Sequence, residues 1–161
     1  MTRYHELCAL AEQYSRQFYE HRVACVRTAR ILIQAYADYL DCPLNQISQI
    51  RLGTKLERTE ETASIDAELP LFVDPDGFWG FCWRIDFDRG HVPLAAHEFV
   101  AIALKIEGSI LTIKGDCVFR TSVDDVATWR PFFDHLFVQS KVGFAKPYGQ
   151  RSNQIGFVER Y

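Results

Sequence analysis

Two periodicities divide the chain. From Thr2 to Leu40 there is neither glycine nor proline, and apolar or aromatic residues return in steps of three and four: Tyr4, Leu7, Ala11, Tyr14, Phe18, Cys25, Leu32, Ala35 and Tyr39. That rhythm predicts one long helix, with His21 and Thr28 as polar interruptions of its seam. Asp41-Cys42-Pro43 stops it, since proline cannot continue a helix and disfavours helical backbone in the residue before it. From Phe78 to Phe87 the period changes to two. Trp79, Phe81, Trp83, Ile85 and Phe87 share one face, while Phe78, Gly80, Cys82, Arg84 and Asp86 share the other, the pattern of a strand with one face on a core and the other half wet.

The turn signals around this strand predict a meander. Asp74-Pro75-Asp76-Gly77 leads a hairpin into it, and Asp88-Arg89-Gly90 ends it. Phe99 to Glu107, Ile110 to Lys114 and Cys117 to Thr121 follow as strands joined by Gly108-Ser109 and Gly115-Asp116. With two-residue turns, Ile106 faces Leu111, and Leu104, Ile113 and Val118 form one row. The same register sets Arg120 against Leu111 on the apolar face, a conflict that a bulged turn would remove. Ser122 is a helix N-cap candidate, and Val126, Trp129, Phe133, Leu136 and Phe137 mark a helix with Pro131 inside it, predicting a kink or a new start. Upstream, Asn45 to Ile50 suits a short helical turn and Ile50 to Leu56 a strand. Glu57 to Ser64 has no large apolar residue and reads as a surface loop. A short strand at Gln154 to Val158 ends the chain.

The fold class is therefore α+β in a single domain. It comprises a long helix over 1–40, an acidic connector over 41–68, an antiparallel meander sheet of about five or six strands over 69–121, a proline-kinked helix over 122–140 and a surface tail over 141–161. The predicted N-terminal helix is about 55 Å long at 1.5 Å per residue, whereas a domain of this size is only about 40 Å across. Either the helix breaks, or its N-terminal half packs on another chain. A homodimer through Tyr4, Leu7, Tyr14, Phe18 and His21 is the favoured expectation.

Composition narrows the function classes. The 161 residues are 48% hydrophobic and 14% aromatic, enough for a sizeable aromatic-rich core. A net charge of −3 argues against a polyanionic partner, and residues 77–121 balance five bases with five acids, so nucleic-acid binding is disfavoured even though Trp79, Phe81 and Trp83 have the character of stacking platforms. The five cysteines are odd in number and widely spaced, and no signal peptide or membrane-spanning run is visible. This predicts a cytoplasmic protein with free thiols and no membrane partner.

Candidate chemistry is sparse. Cys82, Asp86, Asp88, His91, His97 and Glu98, with Cys117 and His135 later, form the most chemical-looking cluster, and no H-E-x-x-H or Gly-rich phosphate loop occurs. A nucleophilic pairing would join Cys82 or Cys117 to His97 or His135, with Glu98 or Asp134 behind. Arg16-x4-His21 has the spacing of an HEPN-type ribonuclease motif, but that family needs a helical bundle, which the strand pattern contradicts. The best-supported reading is a non-catalytic interaction module (an adaptor, chaperone, antitoxin or immunity protein, or small regulator) that partners itself and another protein, without cofactor or metal. The alternative is a small-molecule or metal-dependent enzyme or sensor with a pocket beside the sheet, drawing on Cys82, Arg84, Asp86, His91, His97, Glu98 and Arg120. A third is single-stranded nucleic-acid binding.

Overall fold

The structure, a computed structural model, describes residues 2–87, 96–146 and 154–156. Helix α1 (Arg3–Leu40) is unbroken. Thr2 caps it, its hydroxyl oxygen accepting from the His5 backbone N–H at 3.3 Å, and Asp41 ends it in left-handed backbone, with the Cys42 N–H donating to the Ala37 carbonyl at 2.9 Å. After a 3-10 turn at Leu44–Gln46 come β1 (Ile47–Leu52), β2 (Arg58–Ser64), β3 (Trp79–Phe87), β4 (Ala96–Glu107), β5 (Ile110–Lys114) and β6 (Val118–Ser122). Together they form an antiparallel sheet in the order β2-β1-β3-β4-β5-β6. A 3-10 turn at Val126–Trp129 then leads into α2 (Arg130–Ala145), and a three-residue β7 (Gln154–Gly156) pairs parallel to β4.

Both helices lie on one face of the sheet, over the aromatic row of β3. Trp79, Phe81, Trp83 and Ile85 are buried there with Val100, Ile102 and Leu104 of β4 and Leu111 and Ile113 of β5. Cys25, Ala29, Leu32, Ile33 and Tyr36 of α1 close the core from one side, and Phe132, Phe133 and Leu136 of α2 from the other. The opposite face of β3 is not simply wet. Ile50, Leu52, Leu56, Cys82 and Ala101 form a second, smaller cluster on it, flanked by Phe72 and Phe99. Leu56 reaches this cluster from the β1–β2 turn through left-handed backbone, with φ of 60°. It lies directly over Gly80, where an added Cβ would stand 2.6 Å from a Leu56 methyl and 3.0 Å from a Leu52 methyl.

The turn before β3 forms as its residues dictate. One Asp74 carboxylate oxygen accepts from the backbone N–H groups of Asp76 and Phe78, both at 2.9 Å, and Gly77 takes φ of +84°.

Four expectations change. Residues 58–64 are not a loop but the sheet's edge strand. Their side chains bury little, and the strand is held by its ladder to β1, which runs Ser48 to Ser64, Gln49 to Ala63 and Ile50 to Thr62. The first strand starts earlier and ends sooner than the predicted Ile50 to Leu56. The β5–β6 turn holds three residues, since Lys114 pairs with Val118. Phe119 therefore faces Ile113, and Arg120 faces Thr112 on the outer side, which removes the conflict with Leu111. Finally, of the kink and the new start predicted at Pro131, the new start is what forms: α2 begins at Arg130, Pro131 sits in its first turn, where its missing N–H costs no intrahelical bond, and Asp125 rather than Ser122 caps the preceding 3-10 turn through the Ala127 N–H at 3.1 Å. The predicted Asp88-Arg89-Gly90 turn and most of the tail lie outside the described residues.

The close approach at Gly80 makes a stability prediction. Gly80→Ala should lower stability by about 1–3 kcal/mol through overpacking. Leu56→Ala should cost less in the Gly80→Ala background than alone. A double-mutant cycle of urea midpoints measures the coupling, and strict additivity would refute the contact.

Candidate functional site

α1 has one apolar stripe with two environments. In its C-terminal half, Cys25, Thr28, Ala29, Leu32, Ile33, Tyr36 and Ala37 are buried. At 100° per residue, Tyr4, Leu7, Ala11, Tyr14 and Phe18 continue that same stripe toward the N-terminus. There the sheet has ended, and every residue from 2 to 20 is exposed. Tyr4 is 71% exposed, Leu7 65% and Tyr14 66%. Tyr19 and Leu10 widen the bare surface at its margins.

The point of departure is well defined. Phe18 packs on Trp79 with ring centroids 5.1 Å apart. One turn later, His21 Nδ1 accepts from the Trp79 indole N–H at 3.0 Å, and its Nε2 lies 3.1 Å from the Ile106 carbonyl. Nε2 thus sits against the Ile106 backbone, 3.1 Å from its carbonyl oxygen and 3.3 Å from its amide nitrogen. His21 therefore serves its own sheet, while Tyr4, Leu7, Tyr14 and Phe18, the other residues expected at an interface, stay exposed.

Two depressions flank α1 just past this point. One, of about 350 Å³, lies between α1 and the sheet, lined among others by Arg22, Arg30, Gln49, Leu69, Phe81 and Trp83. The other, an open groove of about 640 Å³, runs along the opposite flank beside Val23, Ala24, Ile31, Ile106 and Val126. Both begin at Tyr19 and so adjoin the bare half of the helix.

The residues expected to bind a ligand do not converge. Arg84, Asp86 and His97 share the outer face. Arg84 Nε donates to Asp86 at 2.8 Å, and His97 stands opposite Asp86 in the β3–β4 ladder with its ring edge-on to Phe99. The Arg58 guanidinium lies over the same Phe99 ring, 3.9 Å from its centroid. Glu98 instead points to the core face, 2% exposed, where it accepts from the Ser140 hydroxyl at 2.7 Å. Arg120 pairs with Thr112, which pairs with Lys105, eight residues along β4 from His97, or about 27 Å at the strand rise. His91 lies outside the described residues.

The thiols are equally unsuited to nucleophilic work on the sheet. Burial pushes Cys82 up to about 12, only partly opposed by the Arg58 charge, and burial likewise raises Cys25 to about 12. The structure does bring Cys117 and His135 together, along with Asp116. His135 Nε2 is 3.0 and 3.1 Å from the two Asp116 carboxylate oxygens, and the ligand atoms of all three residues lie within 4.8 Å of one another. Cys117 with His135 is among the pairs the sequence offered, but spacing gave no hint of Asp116, because the contact depends on how α2 crosses the β5–β6 turn. Among the described residues no helix is long and apolar enough to cross a membrane. Compared with known proteins, the chain matches no family model, no curated protein and no solved structure.

The thiol environments predict a reactivity pattern. In the native protein, a neutral-pH thiol reagent should modify the exposed Cys8 and Cys117 rapidly and spare Cys25 and Cys82 until the chain unfolds. Because the folded-state values of Cys25 and Cys82 are raised above 9.0, the stability they confer is complete below pH 9 and is lost as pH climbs from there toward 12. Mass mapping of labelled sites checks the first statement, and pH-dependent urea midpoints the second.

Proposed function

We propose that the protein is a non-catalytic interaction module, working in the cytoplasm as a homodimer joined through the N-terminal half of α1. The supporting observation is the continuity of one stripe that is buried downstream and bare upstream. Six exposed side chains (Tyr4, Leu7, Leu10, Tyr14, Phe18 and Tyr19) present on the order of 700 Å² in all, given rings of 150–250 Å² each. A stable interface buries about 800 Å² per partner.

A second copy is the occupant favoured by charge and symmetry. Residues 2–20 hold Arg3 and Arg16 against Glu6, Glu12 and Glu20, so the surface neither selects a polyanion nor repels its own copy. An antiparallel two-fold pairing sets Leu7 against Phe18 and Ala11 against Tyr14, each twice. Small residues then meet large ones, and the contact closes on itself. The two domains flank the helix pair and leave their outer sheet faces free for a further protein.

Sedimentation equilibrium tests this. The expected result is a dimer that Leu7→Glu with Tyr14→Glu converts to a monomer with unchanged helix content and urea midpoint, since both positions are exposed within the protomer. A wild-type monomer at all concentrations, or a dimer indifferent to the two charges, would overturn it.

A second reading, small-molecule binding, draws on the cavity between α1 and the sheet. Stacked Phe81 and Trp83 rings, 6.0 Å apart and 9° from parallel, form its floor, with Gln49 beside them and Arg22 and Arg30 at its edge. This chemistry suits a flat apolar body bearing an acid group. The anionic dye ANS should bind with one-to-one saturation and lose fluorescence enhancement in Ala67→Trp, which fills the cavity from its rim. Unsaturable binding, or binding unaffected by Ala67→Trp, would count against this reading.

A further inference from the structure

We propose that Asp116, Cys117 and His135 bind a zinc ion that ties the β5–β6 turn to α2. They are the one group of three or more potential metal ligands that the described residues bring together. Two come from the three-residue turn and the third from the second turn of α2, so the site joins elements that the chain separates by a strand and a 3-10 turn.

The distances suit the metal. Zinc bonds of about 2.0–2.2 Å to nitrogen and oxygen and about 2.3 Å to sulfur place tetrahedral ligand atoms roughly 3.3–3.6 Å apart. His135 Nε2 and the Asp116 oxygens stand at 3.0 and 3.1 Å, and all three ligand atoms lie within 4.8 Å. An ion between them needs only a slight opening of the imidazole–carboxylate pair and a shift of the thiol by about 1 Å. Cys117 is exposed, so its side chain turns at little cost.

Supporting contacts hold the other two ligands. The Cys117 backbone N–H donates to Asp116 Oδ1 at 3.0 Å, and the Phe119 ring packs on the His135 imidazole with centroids 5.3 Å apart. Ligating carboxylates and imidazoles are commonly oriented by such neighbours.

The donor set decides which ion. Calcium and magnesium take six or more oxygen ligands and would find one carboxylate here. A nitrogen, a thiolate and a carboxylate are the ligand types of zinc, and three protein ligands leave the fourth position to water. The ion would couple two elements that otherwise meet here through the His135–Asp116 contact, adding stability that grows with the logarithm of free zinc above its dissociation constant. The site lies away from the exposed stripe of α1, so it is independent of the dimer.

Titration of the metal-free chain with Co²⁺, followed by competition with Zn²⁺, tests the proposal. One equivalent should bind, with a thiolate-to-cobalt charge-transfer band and the intense visible bands of tetrahedral Co²⁺, and zinc should displace it. Cys117→Ser should abolish the charge-transfer band, and His135→Ala should weaken binding by about 100-fold or more, given that loss of a mere supporting contact costs 10–100-fold. Cys8→Ser, which removes the other exposed thiol, should change nothing. Zinc should raise the melting temperature of the wild type and not of the two site variants; the metal-free melting temperature of Cys117→Ser should match that of the wild type, because Cys117 is exposed. Absence of a saturable site, or a charge-transfer band that survives Cys117→Ser, would overturn the assignment.

Discussion

The contact of Trp79 with α1 is the constraint on which the remaining architecture rests. Trp79 opens β3 at the end of the sheet where the helix leaves it, and the ring is 2% exposed. Its indole N–H has one good acceptor, His21 Nδ1, and a buried donor without a partner would cost about 1–3 kcal/mol. That bond fixes the rotational phase of α1 relative to β3. Leu32, Ile33 and Tyr36 are thereby aimed at the aromatic row, and the stripe carrying Tyr14, Leu7 and Tyr4 is held on the same side of the helix beyond the sheet. Because α1 is a continuous ladder of hydrogen bonds, a phase set at His21 is transmitted to its N-terminus.

The elements that bury one face were readable from the chain. The period-two row of β3 and the three-four rhythm of α1 survive, since each carries one continuous apolar row, which in α1 is buried only downstream of His21. β2 was missed for the corresponding reason. An edge strand held by backbone bonds to β1 leaves no hydrophobic trace, and Glu57 to Ser64 has the composition of a loop. The register of β5 and β6 turned on whether Cys117 belongs to the strand or to the turn, which the pattern of apolar residues does not determine. Leu56 escaped notice because left-handed backbone, rare for leucine, brings it over Gly80.

The candidate site was readable to the extent that it is a surface pattern, and not where it depends on three-dimensional crossing. The exposed half of α1 lies on the expected seam. His21, on the same seam, turns to its own sheet because a tryptophan fifty-eight positions later happens to open β3 beneath it. Cys82, Arg84 and Asp86 share a face as strand alternation requires, yet Glu98 and Arg120 leave that group, one by pointing to the core and the other by its distance along the sheet. The meeting of Asp116 and Cys117 with His135 depends on the angle at which α2 crosses the sheet, and no spacing in the chain encodes that angle.

One stripe therefore meets two environments along the helix. Downstream of His21 the stripe is core, so substitutions there act on folding. Upstream of Phe18, whose ring still packs on Trp79, the stripe is exposed, so substitutions at Tyr4, Leu7 and Tyr14 should leave the domain's packing untouched. Helix nucleation is costly, and the bare half is sustained by the anchored half, which supplies a nucleus already formed. A partner on the exposed stripe would supply the tertiary packing from which most helical stability comes, so association and ordering of the N-terminal turns reinforce each other. A partner docking there would meet a surface whose orientation the Trp79–His21 bond has already set, which would lower the entropy lost on binding.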